Sequence, residues 1–282
     1  MAFDRLRQLP PMLHSGAQDY ARQVLNASRA ASQAAGFVGD LAYGADPWQT
    51  LDIYAPASFG QAPMAVLLSF HGGAWMNGYK EWMGFQAPAL AHIPLILVTP
   101  DYRLAPAVGM AEIVDDCYAA LAWTYSNIAR FGGDPARIWV GGHSAGAHLA
   151  AVLALRPDLA ERHGLPADVV RGAALISAPL ALDFLHAPAT QADHKLAQAL
   201  GAGAAQWSPL RLAERAAVPF CLDWGEHDFP RIVEQNRAFV ARLQARGLSV
   251  SGREWAGHDH FSVHVACGQP GSAWAQQFTH YF

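Results

Sequence analysis

Cysteine, charge and long apolar runs are all scarce in this 282-residue sequence, and each scarcity narrows what the chain can be. Its three cysteines, Cys117, Cys221 and Cys267, are odd in number and far apart. They supply neither a disulfide framework nor the paired spacing of a zinc site, and they read as small buried apolar residues in a reducing cytoplasm. Charged residues make up only 15% and the net charge is -4. No basic block could neutralise a row of phosphates, so nucleic acid is not expected as a partner. Met1 to Leu13 carries Asp4, Arg5 and Arg7 and includes Pro10-Pro11, which leaves no continuous apolar stretch for a secretory signal. The longest apolar run, 88–100, is interrupted by His92 and Pro94 and is too short to span a bilayer. A cytoplasmic protein with no membrane partner is expected. Internal repeats and low-complexity tracts are missing too, which argues against a solenoid.

Apolar residues, by contrast, reach 52%, enough for a large core. Short β-rich runs at 65–70, 95–99, 137–140, 173–176, 219–222 and 248–255 are bounded by Gly, Pro and Asp. Helical patterns at 15–35, 111–129, 145–155 and 232–245 precede or separate them, and several of the strands are apolar on both faces. That alternation predicts an α/β fold with parallel strands joined by crossover helices. Residues 36–54 can supply two edge strands around the Asp46-Pro47 turn. Residues 180–217 are too long for a plain crossover and should hold extra helices that cover a site. The expected organisation is one domain over 1–282, with an N-terminal helical segment 1–36 and a cap-like insertion at 180–217.

Chemistry is concentrated in Gly141-Gly142-His143-Ser144-Ala145-Gly146, which contains Gly-x-Ser-x-Gly after a strand and before an Ala-rich helix. A strand, sharp turn and helix hold such a serine at the tip of a nucleophile elbow, where side chains in place of the glycines would clash. A serine hydroxyl is a weak nucleophile and needs a histidine to take its proton and later protonate the leaving group. In that arrangement an acid and then a histidine follow the ends of later strands. The strand at 219–222 leads to Gly225-Glu226-His227-Asp228, and the strand at 248–255 to Gly257-His258-Asp259-His260. Ser144, Asp228 and His260 therefore form the expected triad. Asp223 and Glu226 compete with Asp228 but fall earlier, in or just past the strand, and His258 competes with His260. After the first strong strand, His71-Gly72-Gly73-Ala74-Trp75 stands where backbone N–H groups can face a developing oxyanion. The expected donors are Gly72, Gly73 and Ala145.

His71-Gly-Gly-Ala-Trp75, Asp101-Tyr-Arg-Leu-Ala-Pro106, Gly132-Gly-Asp-Pro135 and Gly142-His-Ser-Ala-Gly-Ala-His-Leu-Ala150 together resemble the α/β-hydrolase esterases. Within that group they are similar to the kynurenine formamidase (arylformamidase) family, over about residues 51–263. The resemblance implies an α/β-hydrolase fold, with a mostly parallel central sheet flanked by helices and a small helical cap. It also implies a Ser, Asp and His triad at Ser144, Asp228 and His260. Its implied activity is hydrolysis of an aryl formamide such as N-formylkynurenine, in tryptophan catabolism, without a cofactor. Hormone-sensitive-lipase-like esterases usually carry a third glycine at Ala74 and Gly-Asp-Ser-Ala-Gly-Gly where this chain has His143 and Ala147. General carboxylester hydrolysis is the alternative activity.

Trp75, Tyr79 and Trp82 lie just beyond the glycine loop and could line an aromatic substrate pocket. His143 and His148 flank the serine and read as buried hydrogen-bonding residues. A metal-dependent hydrolase would have to draw its ligands from Glu226, His227, Asp228, His258, Asp259, His260 and His264. Two of these are already accounted for as acid and base, so no metal is expected. A binding protein on a hydrolase scaffold should lack a triad member, and this chain has candidates for all three. The expected partner is a small-molecule substrate, with a homodimer left open.

Overall fold

The computed structural model describes residues 3, 6–14, 16–56 and 62–282. Eight strands form one sheet: β1 (Phe37–Ala42), β2 (Thr50–Tyr54), β3 (Met64–Phe70), β4 (Leu95–Pro100), β5 (Gly133–His143), β6 (Val170–Ile176), β7 (Phe220–Gly225) and β8 (Val250–Trp255). Their spatial order is β1-β2-β4-β3-β5-β6-β7-β8. Strand β2 runs antiparallel to β1 and β4, and every other pairing is parallel. The edge hairpin turns at Asp46, whose carboxylate accepts the N–H of Trp48 and whose carbonyl accepts that of Gln49.

Every residue of β4 and all but the first of β3 are buried, as a sheet covered on both faces requires. The helix Ala145–Leu155 is buried around its whole circumference, which is why its sequence is apolar all round and carries no polar stripe. The helices Met110–Asn127 and Pro230–Ala245 bury one face each. The expected N-terminal helix spans Ala17–Ala31; Ser15, its expected first residue, lies outside the described residues. The segment 180–217 folds into short turns around a helix at Gln191–Leu200. Thr190 caps that helix, with its Oγ1 accepting the N–H of Asp193 and the Asp193 carboxylate accepting the N–H of Thr190. No helix among the described residues is long and apolar enough to cross a membrane.

Strands β3 and β5 to β8 point the same way, so the segments that follow them meet at one edge of the sheet. In open α/β sheets that edge is where ligands bind.

Candidate active site

Ser144 stands between β5 and the helix Ala145–Leu155 with φ 53 and ψ -120, a conformation a side-chain-bearing residue adopts only under constraint. Its N–H donates to the carbonyl of Ile176 at 2.9 Å, which continues the β5–β6 pairing into the turn. The flanking glycines are there for closeness. A Cβ on Gly142 would lie 2.5 Å from the Phe70 carbonyl oxygen, and one on Gly146 would lie 2.0 Å from that oxygen and 2.5 Å from that of His71. The elbow thus presses directly on the end of β3. Gly146→Ala should cost roughly 1–3 kcal/mol, because backbone has to move to admit the methyl group. In a chain of this size that lowers the melting temperature by several degrees. A circular-dichroism melt checks it, and an unchanged melt would contradict the close approach.

His260, in the loop after β8, places Nε2 2.9 Å from Ser144 Oγ. Its Nδ1 lies 2.7 Å from Oδ1 of Asp228, in the loop after β7. Asp228 Oδ1 also accepts the N–H of Phe229 at 2.7 Å, and Oδ2 accepts the hydroxyl of Ser177 at 2.5 Å. Burial would raise this carboxyl, but His260, Ser177 and the Phe229 N–H outweigh it and hold Asp228 below its ordinary value. The competing side chains are occupied elsewhere. Asp223 accepts from Trp255 Nε1 and Arg253, Glu226 accepts the N–H of Gly257, and the ring of His258 packs against Trp255.

Gly72 lies against the elbow, where a Cβ would sit 3.2 Å from that of Ser144. Gly73 has φ +116, and Ala74 and Trp75 follow at 56 and 59, so the chain reverses sharply beside the serine. The loop is held from behind by His71, whose Nδ1 donates to the Gly72 carbonyl at 2.7 Å and whose ring stacks on Tyr102 at 4.2 Å. Burial pushes His71 down to about 4, so it stays neutral. The N–H of Ala145 opens its helix, where first-turn N–H groups have no intrahelical partner.

A cavity of about 670 Å³ reaches Ser144 and His260. Trp75 and Trp82 line it, together with Tyr20, Phe184, Phe229 and Phe261. Trp75 is fixed by its Nε1–H, which donates to His148 Nδ1, while His148 Nε2 donates to the Trp207 carbonyl. Tyr79 departs from expectation. Gly78, at φ +107, swings the chain aside before the turn Lys80–Trp82. Tyr79 is thereby sent to a separate cavity of about 260 Å³, where its hydroxyl donates to the Arg7 carbonyl. Part of the cavity wall comes from residues with no motif in the sequence. Met12, Leu13, His14 and Tyr20 line the cavity together with Phe184, Ala192 and Leu196 of the 180–217 segment. Of these only Tyr20 lies on the apolar stripe of the N-terminal helix, and Met12, Leu13 and His14 precede it.

Side chains from which a metal centre would draw its ligands have other partners. Asp259 accepts the N–H groups of Phe261 and Ser262, and His264 Nδ1 meets the Tyr20 hydroxyl at 2.7 Å. Among the described residues, no three His, Cys, Asp or Glu side chains gather as a set that could hold a metal ion.

Residues 67–264 match the model of a family described by its alpha/beta hydrolase fold. Esterase LipC of Mycobacterium tuberculosis is 31% identical over 227 residues, which cover 74% of this chain and 56% of that protein. Kynurenine formamidase of Danio rerio is 26% identical over 229 residues, covering 79% of this chain and 74% of that one. Several curated relatives are much longer, and the chain spans only 23% to 56% of their length. Among solved structures, esterase B from Lactobacillus rhamnosis superposes with a TM-score of 0.73 at 22% identity, covering 94% of this chain and 91% of that one. That likeness concerns the fold. With the matched region spanning most of the sheet and the elbow at its centre, the chain belongs to the α/β hydrolase fold family.

Proposed function

We propose that the protein is a serine hydrolase that cleaves an aryl formamide, N-formylkynurenine being the model case, to an aryl amine and formate. The observation that carries the serine-hydrolase part of this reading is the unbroken line Ser144 Oγ, His260 Nε2, His260 Nδ1, Asp228 Oδ1, with steps of 2.9 and 2.7 Å, at an aromatic-walled cavity. In this reading Ser144 attacks the formyl carbonyl while His260 accepts its proton. Asp228 holds the proton on Nδ1 and stabilises the imidazolium that forms. The N–H groups of Gly72, Gly73 and Ala145 receive the oxyanion, each donor contributing about 3–4 kcal/mol in the transition state. His260 then protonates the departing amine, and water attacks the formyl-enzyme to release formate. No resident cofactor enters the scheme. Three free, buried cysteines support the cytoplasm as the working compartment.

The formamide reading draws on the alignment with the zebrafish formamidase, which spans most of both chains. The alignment with esterase LipC, at higher identity, supports a second reading in which short-chain or aromatic carboxylic esters are the substrates. Both share one acyl-enzyme mechanism and differ in the leaving group. A comparison of kcat/KM for N-formylkynurenine and for p-nitrophenyl acetate and butyrate decides between them. We expect the formamide to lead by at least about tenfold, a transition-state difference of about 1.4 kcal/mol. A preference for the esters replaces the formamide reading and leaves the triad assignment standing.

A further inference from the structure

Two buried imidazoles stand beside His260 and have no part in the scheme above. The His143 ring lies 4.9 Å from that of His260 and 4.3 Å from that of His264, stacked on the latter at 10°. Tyr20, from the N-terminal helix, completes the group, with its hydroxyl 2.7 Å from His264 Nδ1 and 3.4 Å from His143 Nδ1. His143 Nε2 lies 2.8 Å from the carbonyl oxygen of His260.

The protons follow from what each partner can do. A carbonyl only accepts, so Nε2 of His143 carries the hydrogen. Burial, reinforced by His260, pushes His143 down to about 3 and keeps the ring neutral, which makes its Nδ1 an acceptor. The arrangement that orphans the fewest buried groups then runs one way. His264 Nδ1–H donates to the Tyr20 oxygen, the Tyr20 hydroxyl donates to His143 Nδ1, and His143 Nε2–H donates to the His260 carbonyl. With the Tyr20 hydroxyl turned to His264 instead, His143 Nδ1 and the N–H of His264 Nε2 would both lack partners, since Nε2 of His264 meets none. Among the described residues the carbonyls on either side of His260 are taken by main-chain N–H groups, Asp259 by Val263 and Phe261 by Val265, but no main-chain N–H takes that of His260, and this relay supplies its hydrogen bond instead.

We infer that Tyr20 and His143 are positioning residues, which fix the main chain of His260 so that its Nε2 stays within hydrogen-bond reach of Ser144. The inference rests on His260 being the catalytic base. It makes the N-terminal helix, which also walls the cavity through Tyr20, part of what aims the triad. Small displacements of a reacting group reach about a hundredfold in rate, so loss of this tether should register in turnover more than in substrate binding.

The test uses the full chain, p-nitrophenyl acetate as substrate and a fluorophosphonate probe that reports on Ser144. Tyr20→Phe keeps the ring in the cavity wall and deletes the hydroxyl. It should lower kcat and the labelling rate about tenfold, with KM within about twofold, and the fall of several degrees in melting temperature expected from two buried groups left unpaired should still leave the protein folded at the assay temperature. His143→Gln retains an N–H donor and should keep most of the wild-type kcat, whereas His143→Leu, with similar volume and no donor, should lose at least about tenfold. A Tyr20→Phe protein turning over within twofold of wild type overturns the inference, and so do Gln and Leu variants that fall equally. Should His143→Leu fail to fold, Tyr20→Phe still decides. Wild-type protein left unlabelled at Ser144 would instead sink the reading of the site itself.

Discussion

Ser144→Ala should reduce kcat by about ten-thousand-fold to a million-fold and leave the melting temperature almost unchanged. The hydroxyl makes one hydrogen bond to another side chain, to His260 Nε2, and that nitrogen faces the cavity, where water can replace it. Alanine at φ 53 carries the same backbone strain as serine, so the turn keeps its shape. The N–H groups of the glycine loop and of Ala145 remain in place, and they set the residual rate above the uncatalysed reaction. Steady-state turnover of p-nitrophenyl acetate, paired with a circular-dichroism melt, separates lost chemistry from lost fold. A variant that keeps more than a few per cent of kcat with a normal melt would remove Ser144 from the role of nucleophile.

Strand positions and the elbow were legible because local physics dictates them. Runs such as Leu95 to Thr99 are apolar on both faces, and that pattern suits a sheet with helices on either side. Gly142 and Gly146 were legible as a pair because only hydrogen fits against the carbonyl of Phe70. Limits of elements were less so. Strand β5 starts at Gly133, four residues before the apolar run, with a register shift against β3 in the stretch the sequence reads as polar and proline-bearing. The choice among Asp223, Glu226 and Asp228 depended on the path of two loops. A Cβ on Gly225 would meet the carbonyl oxygens of His258 and Asp259 at 2.3 and 2.8 Å. That contact binds the end of β7 to the loop carrying His260, turning Asp228 toward the ring while Glu226 serves Gly257. Met12, Leu13, His14, Ala17 and Tyr20 as a cavity wall, and Tyr79 as a residue outside it, follow from tertiary docking and from the turn at Gly78, neither of which has a local pattern.

Nor was Lys80 legible. It is 1% exposed, and its ammonium reaches the carboxylates of Asp40, Asp52 and Glu81 at 2.7 to 2.9 Å. Burial alone would depress Lys80, but the carboxylates overcome it and hold the charge. The Lys80 N–H donates to Asp101, so the ion cluster pins the segment that follows the glycine loop. Charge pairing takes Lys80 to Asp40 on β1 and Asp52 on β2, while Trp75 and Trp82 on either side of it in the chain line the main cavity.

The second large loss is expected for Asp228→Asn, and the surroundings of each oxygen decide its size. Two N–H groups, from His260 and Phe229, point at Oδ1, while Oδ2 meets the hydroxyl of Ser177, which can accept as well as donate. An asparagine therefore settles with its oxygen toward His260 and its amide nitrogen toward Ser177, so the imidazole keeps its hydrogen on Nδ1. What disappears is the negative charge beside the imidazolium that forms when Ser144 is deprotonated. A unit charge about 4 Å away at an effective dielectric of about 20 is worth about 4 kcal/mol, or roughly a thousandfold in kcat, with KM little affected. A loss nearer ten-thousand-fold would mean that the amide has flipped and forced the wrong tautomer. Less than about tenfold would remove Asp228 from the triad. Stability should move with pH in a definite direction. The carboxyl is held below its ordinary 3.8, so its stabilising contribution is complete above that pH and is lost as the pH falls through the lower folded value. The gap in melting temperature between wild type and Asp228→Asn should accordingly be widest near neutrality and close in acid. A gap that widens on acidification would contradict the hydrogen bonds drawn to both oxygens.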